Sequence, residues 1–131
     1  MNQKIKLYIA TSLPNIERNN LFSFLDDEYE RVDRKEDADL IVYDVCNKPK
    51  KWPLFLSLPS SAPPVFAALG KRDDDNFSLI QECWSAPPPV GNSQDALRGQ
   101  INLAWYYVNR KREVNEEIGR SVAGNLMSRH A

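Results

Sequence analysis

The sequence predicts an α/β fold, a three-layer sandwich of about five mostly parallel strands with a long C-terminal helix. Three features point there. The run Ala38-Asp39-Leu40-Ile41-Val42-Tyr43-Asp44-Val45-Cys46 is short, apolar and β-branched, as a strand buried on both faces must be. Segments before and after it alternate between strand-like and helix-like patterning. Leu97, Ile101, Ala104 and Val108 recur by four and three, the spacing of one helix face.

In chain order, Ile5-Lys6-Leu7-Tyr8-Ile9 is the first strand and runs into Ala10-Thr11-Ser12. Ser12 is expected to cap a helix with Pro14 in its first turn, since proline suits that position. Leu13, Ile16, Leu21, Phe24 and Leu25 are its apolar stripe. Glu28 to Val32 reads as an edge strand, and Asp33 to Asp37 leaves room for about one helical turn. The strand ending at Asp44 follows, then the turn Asn47-Lys48-Pro49-Lys50-Lys51. Trp52 to Leu58 suits a short helix stopped by Pro59, and Pro63-Pro64 starts the strand Val65 to Leu69, which Gly70 ends. Phe77 to Trp84 suits either a short helix plus strand or a single strand. Ala86-Pro87-Pro88-Pro89 continues neither helix nor central strand and forms a rigid exit. Asn92 or Ser93 caps the longest helix, from about Gln94. Its apolar series breaks at Lys111 and Asn115 and resumes at Ile118 and Val122. We divide the chain into an α/β domain, residues 1–109, and a helical extension or linker, residues 110–131, in which Gly119 and Gly124 weaken the helix.

Composition narrows the function. A chain of 131 residues, 42% hydrophobic and 27% charged, is ordinary for a globular domain with a modest core. Seventeen basic against eighteen acidic residues leave no global field, so this segment by itself is not expected to bind nucleic acid or an anionic membrane. No apolar run approaches the roughly 18 residues that a membrane span needs. Cys46 and Cys83 lack metal-ligand spacing and fit buried thiols in a reducing cytoplasm, where we place the chain. We expect no cofactor and no metal. The sole histidine, His130, sits near the end of the sequence given and lacks a nucleophile to serve.

Asp44 closes the central strand at its carboxyl end, where α/β proteins place their chemistry. It is either a functional acid or a strand-end aspartate that caps the next loop or pairs with Lys48, Lys50 or Lys51. Those three lysines with Trp52 form a candidate anion patch, against the plainer alternative of a solvated basic turn. Thr11 and Ser12 can hold a phosphate or simply cap the helix; no glycine is present there and Pro14 removes a donor, which favours capping. Trp105, Tyr106 and Tyr107 are consecutive, and at about 100° per residue they cannot share one face. Some of this block must reach the surface, so Trp105, Tyr106 and Val108 are the candidate interface.

The strand ending Leu40-Ile41-Val42-Tyr43-Asp44, the strand Pro64-Val65-Phe66-Ala67-Ala68-Leu69 and the proline exit before the last helix together resemble a receiver domain of the two-component response regulators, over roughly residues 4–109. The resemblance implies a flavodoxin-like sheet and gives Asp44 the position of the phosphoacceptor. The acidic pair of such domains is replaced within Ala10-Thr11-Ser12. Their hydroxyl residue falls at Leu69 or Gly70, and their lysine at Ala86 or Pro87. Each replacement removes an electrostatic partner of a phosphoryl group, so Asp44 is at most a vestigial phosphoacceptor. The short crossovers and long last helix are similar to the N-terminal pseudo-receiver of flagellar master regulators of the enhancer-binding activator family. In that family the domain precedes an ATPase and a DNA-binding helix-turn-helix, and Glu117-Ile118-Gly119-Arg120-Ser121 is similar to the linker that enters that ATPase.

These readings predict a non-catalytic regulatory or protein-interaction domain in signalling or transcription control, acting through a protein partner or, by preference, a homodimer. Two alternatives remain. One is a small-molecule or nucleotide-handling enzyme of the deoxyribosyltransferase type, with Asp44 as nucleophile near Trp52 and a similar opening strand, Lys6-Leu7-Tyr8-Ile9-Ala10. The other is an atypical receiver still phosphorylated at Asp44.

Overall fold

The computed structural model describes residues 3–53, 56, 66–85 and 93–129, with side chains described for these except 82–85, 93, 115 and 119–129. Strand β1 (Ile5–Ala10) lies centrally, flanked by β2 (Tyr29–Val32) and β3 (Leu40–Asp44), and β4 (Phe66–Leu69) lies beyond β3. The four-stranded order is β2-β1-β3-β4. β1 pairs in parallel with both neighbours, Tyr8 opposite Val32 and Ile9 opposite Val42. All of β3 is buried, as a continuous apolar run requires. The expectation of a mostly parallel α/β sheet therefore holds, and the short turn before β3 is a 3-10 turn, Lys35–Asp37.

β4 differs from the remaining strands: it runs antiparallel to β3, with Asp44 opposite Phe66 and Ile41 opposite Leu69. A parallel return needs a crossover of a dozen or more residues, usually a helix. The connecting sequence carries Pro49, Pro53, Pro59, Pro63 and Pro64, each of which lacks the amide donor that a crossover helix uses. Most of the short helix expected at Trp52–Leu58 lies outside the described residues. No fifth strand occurs among the described residues, because Phe77 to Trp84 belongs to a single helix, α2 (Asp73–Ser85). Asp73, Asp74 and Asp75 crowd its first turn, where the helix dipole favours acids. Asn76 is fully buried and donates through Nδ2 to the carbonyls of Gly70 and Arg72, at 3.0 and 2.8 Å, fixing the turn from β4 into α2.

Helix α1 (Asn15–Phe22) corrects two expectations. Ser12 does not cap it; Pro14 occupies the N-cap, with no side-chain cap bond. Ile16 is 77% exposed and Leu21 is also exposed, whereas Phe22 and Leu25 are buried. The helix stops after about two turns and a 3-10 segment, Ser23–Asp27, resets the phase, so a stripe extrapolated at 3.6 residues per turn points the wrong way.

Helix α3 (Ser93–Arg129) has 37 residues, about 56 Å at 1.5 Å per residue. It packs on β3, β4 and α2 through Leu97, Ile101, Ala104 and Val108, all buried as their spacing predicts. It passes residue 109 without interruption. The Tyr29 hydroxyl donates to Asn102 Oδ1 at 2.9 Å, tying the edge strand to this helix. Cys46 is exposed, not buried, because it falls two residues past the end of β3.

Candidate functional site

The carboxyl rim of β1 and β3 is where the strand order reverses, the position at which open α/β sheets hold ligands. Here the rim is closed by its own side chains. Asp44 is 1% exposed. Its Oδ2 accepts from the Thr11 hydroxyl at 3.0 Å and from Asn47 Nδ2 at 2.9 Å, and its Oδ1 accepts the Asn47 amide at 3.2 Å. Thr11 Oγ1 in turn accepts the Leu13 amide at 3.2 Å, and the Ser12 amide donates to the Asn47 carbonyl at 2.9 Å. The carboxylate thus staples the loop after β1 to the loop after β3. Its partners are neutral donors, which is the capping role; none of Lys48, Lys50 or Lys51 forms an ion pair with it.

The antiparallel β4 explains the rest of the rim. Its carboxyl end, Leu69 and Gly70, lies beside Ile41 at the amino end of β3, so the position the resemblance gives to a hydroxyl residue is on the opposite rim from Asp44. Phe66 stands beside Asp44 instead, and its ring meets Phe22 edge-on at 5.6 Å. Among the described residues no group of three or more His, Cys, Asp or Glu side chains is placed to hold a metal ion.

Lys48, Lys50 and Lys51 are exposed. The Lys48 ammonium lies 5.4 Å from the centre of the Trp52 ring, which packs edge-on against Tyr43 at 5.5 Å. Cation–π contact and edge-on packing hold the Trp52 ring, while its buried Nε1 has no hydrogen-bond partner among the described residues. Burial pushes the Tyr43 hydroxyl up to about 12.

The candidate interface divides. Val108 is 0% exposed and belongs to the core, because the four-and-three series that contains it is the series α3 lays on the sheet. Trp105 is partly buried against that core, whereas Tyr106 is 63% exposed. Asn102, Trp105, Tyr106, Asn109, Arg110 and Glu113 line one stripe of α3 and bound a groove of about 390 Å³. Farther along, Val114 and Ile118 are exposed as well, Ile118 at 57%.

A second concavity was not marked by the sequence pattern. Asn15, Arg18 and Asn19 of α1 share a face with the buried Phe22 and, with Tyr8 and Arg31, bound a cavity of about 320 Å³. The available signal was the polar spacing 15, 18, 19 running into an apolar residue at 22, obscured by treating apolar residues alone as the inward stripe.

Against known proteins, the chain matches no family model, no curated protein and no solved structure. No helix among the described residues is long and apolar enough to cross a membrane.

Proposed function

We propose that this chain is a regulatory module without chemistry of its own, which acts by pairing with a second copy along the outer stripe of α3. The observation that carries the reading is the exposed aromatic Tyr106, beside the half-buried Trp105, in a groove rimmed by Asn102, Asn109, Arg110 and Glu113. An aromatic centre with a polar rim is the composition of association surfaces. Arg110 and Glu113 carry opposite charges three residues apart, so two copies packed antiparallel about a twofold axis place each arginine against the other copy's glutamate. Val114 and Ile118 are also exposed on α3 beyond the length that covers the sheet, about a third of a turn around the helix from Tyr106 and outside this contact.

The order β2-β1-β3-β4 is that of the first four strands of a flavodoxin-like sheet, which supports reading the domain as a degenerate, pseudo-receiver type of module in a three-layer sandwich. The reversed β4 is a departure from that pattern. The engaged, buried Asp44 supports a module that signals by association and not by aspartyl phosphorylation or nucleophilic attack. We place it in the cytoplasm, in signalling or transcription control. Sedimentation velocity over a concentration series tests the proposal. The native chain is expected to dimerise, and Tyr106→Asp and Arg110→Glu are expected to sediment as monomers with unchanged circular dichroism. A native chain that stays monomeric throughout, or variants that dimerise equally well, would overturn it.

A further inference from the structure

Helix α1 turns its face inward in an unusual way. Ile16 and Leu21 face water away from the sheet, while Asn15, Arg18 and Asn19 lie on the face of Phe22, Arg18 half-buried and the two asparagines exposed at the rim. Between this face and the β1–β2 edge lies the cavity of about 320 Å³, within the lower range of small-ligand sites. The side chain of Arg18 lines the cavity, and its Nε is buried without a hydrogen-bond partner among the described residues. Among the described residues its guanidinium makes one long bond, Nη2 to the Leu13 carbonyl at 3.4 Å, and no ion pair with a carboxylate. A buried donor without an acceptor is rare in native folds and calls for a partner.

The second cation of the cavity is held differently. Arg31 grips Asp26 through Nε at 2.7 Å and Nη2 at 3.0 Å, and Nη1 donates to Asn19 Oδ1 at 3.1 Å. Its charge is compensated and its plane is fixed, so it serves as a wall with one spare hydrogen on each terminal nitrogen. Arg18 is uncompensated and brings its remaining donors to the same space. A planar fork of donors beside a second, rigid guanidinium and the Asn15 amide suits a tetrahedral oxyanion. Asp33 at the mouth is exposed to water and positioned to accept from a hydroxyl instead.

We infer that the cavity between α1 and the β1–β2 edge binds a phosphate monoester of a small hydroxylated molecule, with Arg18 as the anchor of the phosphate group. The site is separate from the outer stripe of α3 and does not depend on self-association.

Side-chain NMR of the Arg18 Nε–Hε group reads the site directly. Glycerol 2-phosphate and inorganic phosphate, titrated at constant ionic strength against chloride, are expected to shift that resonance and the amides of Asn15 to Asn19 along saturable curves. Arg18→Gln is expected to weaken binding about tenfold or more, since it removes the charge-assisted bonds. Asn15→Asp does the same by placing a carboxylate at the cavity, at an exposed first-turn position where an acid suits the helix and folding is preserved. Arg34→Gln, an exposed arginine paired with Glu36 outside the cavity, is expected to change nothing. Shifts that rise linearly without saturating, or affinity retained in both Arg18→Gln and Asn15→Asp, would overturn the assignment.

Discussion

Replacing Asp44 separates a structural carboxylate from one retained for chemistry. Three hydrogen bonds converge on it: the Thr11 hydroxyl, the Asn47 amide and Asn47 Nδ2. Bonds to a charged acceptor contribute about 1.5–3 kcal/mol each. Their sum is reduced by the desolvation of a carboxylate that is 1% exposed, a penalty of several kcal/mol that the alanine variant escapes. The Asn47 amide also lies 3.2 Å from the Asp44 carbonyl and keeps that bond, so the Thr11 hydroxyl is the donor left buried. The balance for Asp44→Ala is a loss of about 3 kcal/mol. With an unfolding entropy of about 2.1 cal/mol/K per residue over roughly 110 packed residues, that lowers Tm by about 13 °C. Asp44→Asn keeps the shape and one acceptor but turns an amide donor toward the Asn47 donor, and about 1.5 kcal/mol is expected to be lost. Differential scanning calorimetry with urea titration measures both. A double-mutant cycle with Thr11→Val should return a coupling of about 1 kcal/mol. Active-site carboxylates commonly behave the other way, their removal leaving a protein as stable or more so. An Asp44→Ala variant as stable as the native chain would refute the staple and return Asp44 to the list of functional acids.

Two glycines should respond to the same substitution with opposite signs. A Cβ on Gly70 would stand 2.9 Å from both Asp75 Cβ and Val108 Cγ2, so Gly70→Ala overpacks the junction of β4, α2 and α3 and is expected to destabilise by about 1–3 kcal/mol. Gly99 has nothing within 4 Å and lies inside α3, so Gly99→Ala is expected to stabilise by about 0.5–1 kcal/mol, both read from urea midpoints. The hydrogen bond from Arg31 holds Asp26 below its ordinary 3.8, so their contribution is present above that value and is lost as pH falls through the lowered one. Arg31→Gln should therefore shift the urea midpoint slightly more at neutral pH than well below pH 3.8, where only its bond to Asn19 Oδ1 is lost, the difference being small because Asp26 is half exposed.

Much of the fold was legible in the chain because it rests on local patterning. The continuous apolar run of β3 demanded burial on both faces, and the four-and-three series Leu97, Ile101, Ala104, Val108 demanded a helix with one buried face; both follow from side-chain geometry within one element. The direction of β4 was not legible, since strand patterning is the same read either way and the outcome depends on a proline-rich connection. Nor was the rotation of α1, set by the 3-10 segment after Phe22 and not by its own composition.

The candidate sites divide along the same line. That Asp44 ends a central strand could be read from its neighbours, but its engagement could not: Thr11 is 33 residues away, and only the parallel pairing of β1 with β3 brings the hydroxyl to the carboxylate. Val108 belongs by spacing to the buried series and by adjacency to the surface block of Trp105 and Tyr106, and the packing of α3 on β4 decides for the series. The pairing of two loops across the rim, and the polar cavity under a helix turned the unexpected way round, arise from distances between segments remote in the chain. Residue order specifies which elements form, because that is a matter of neighbours; which side chains meet is decided when those elements pack.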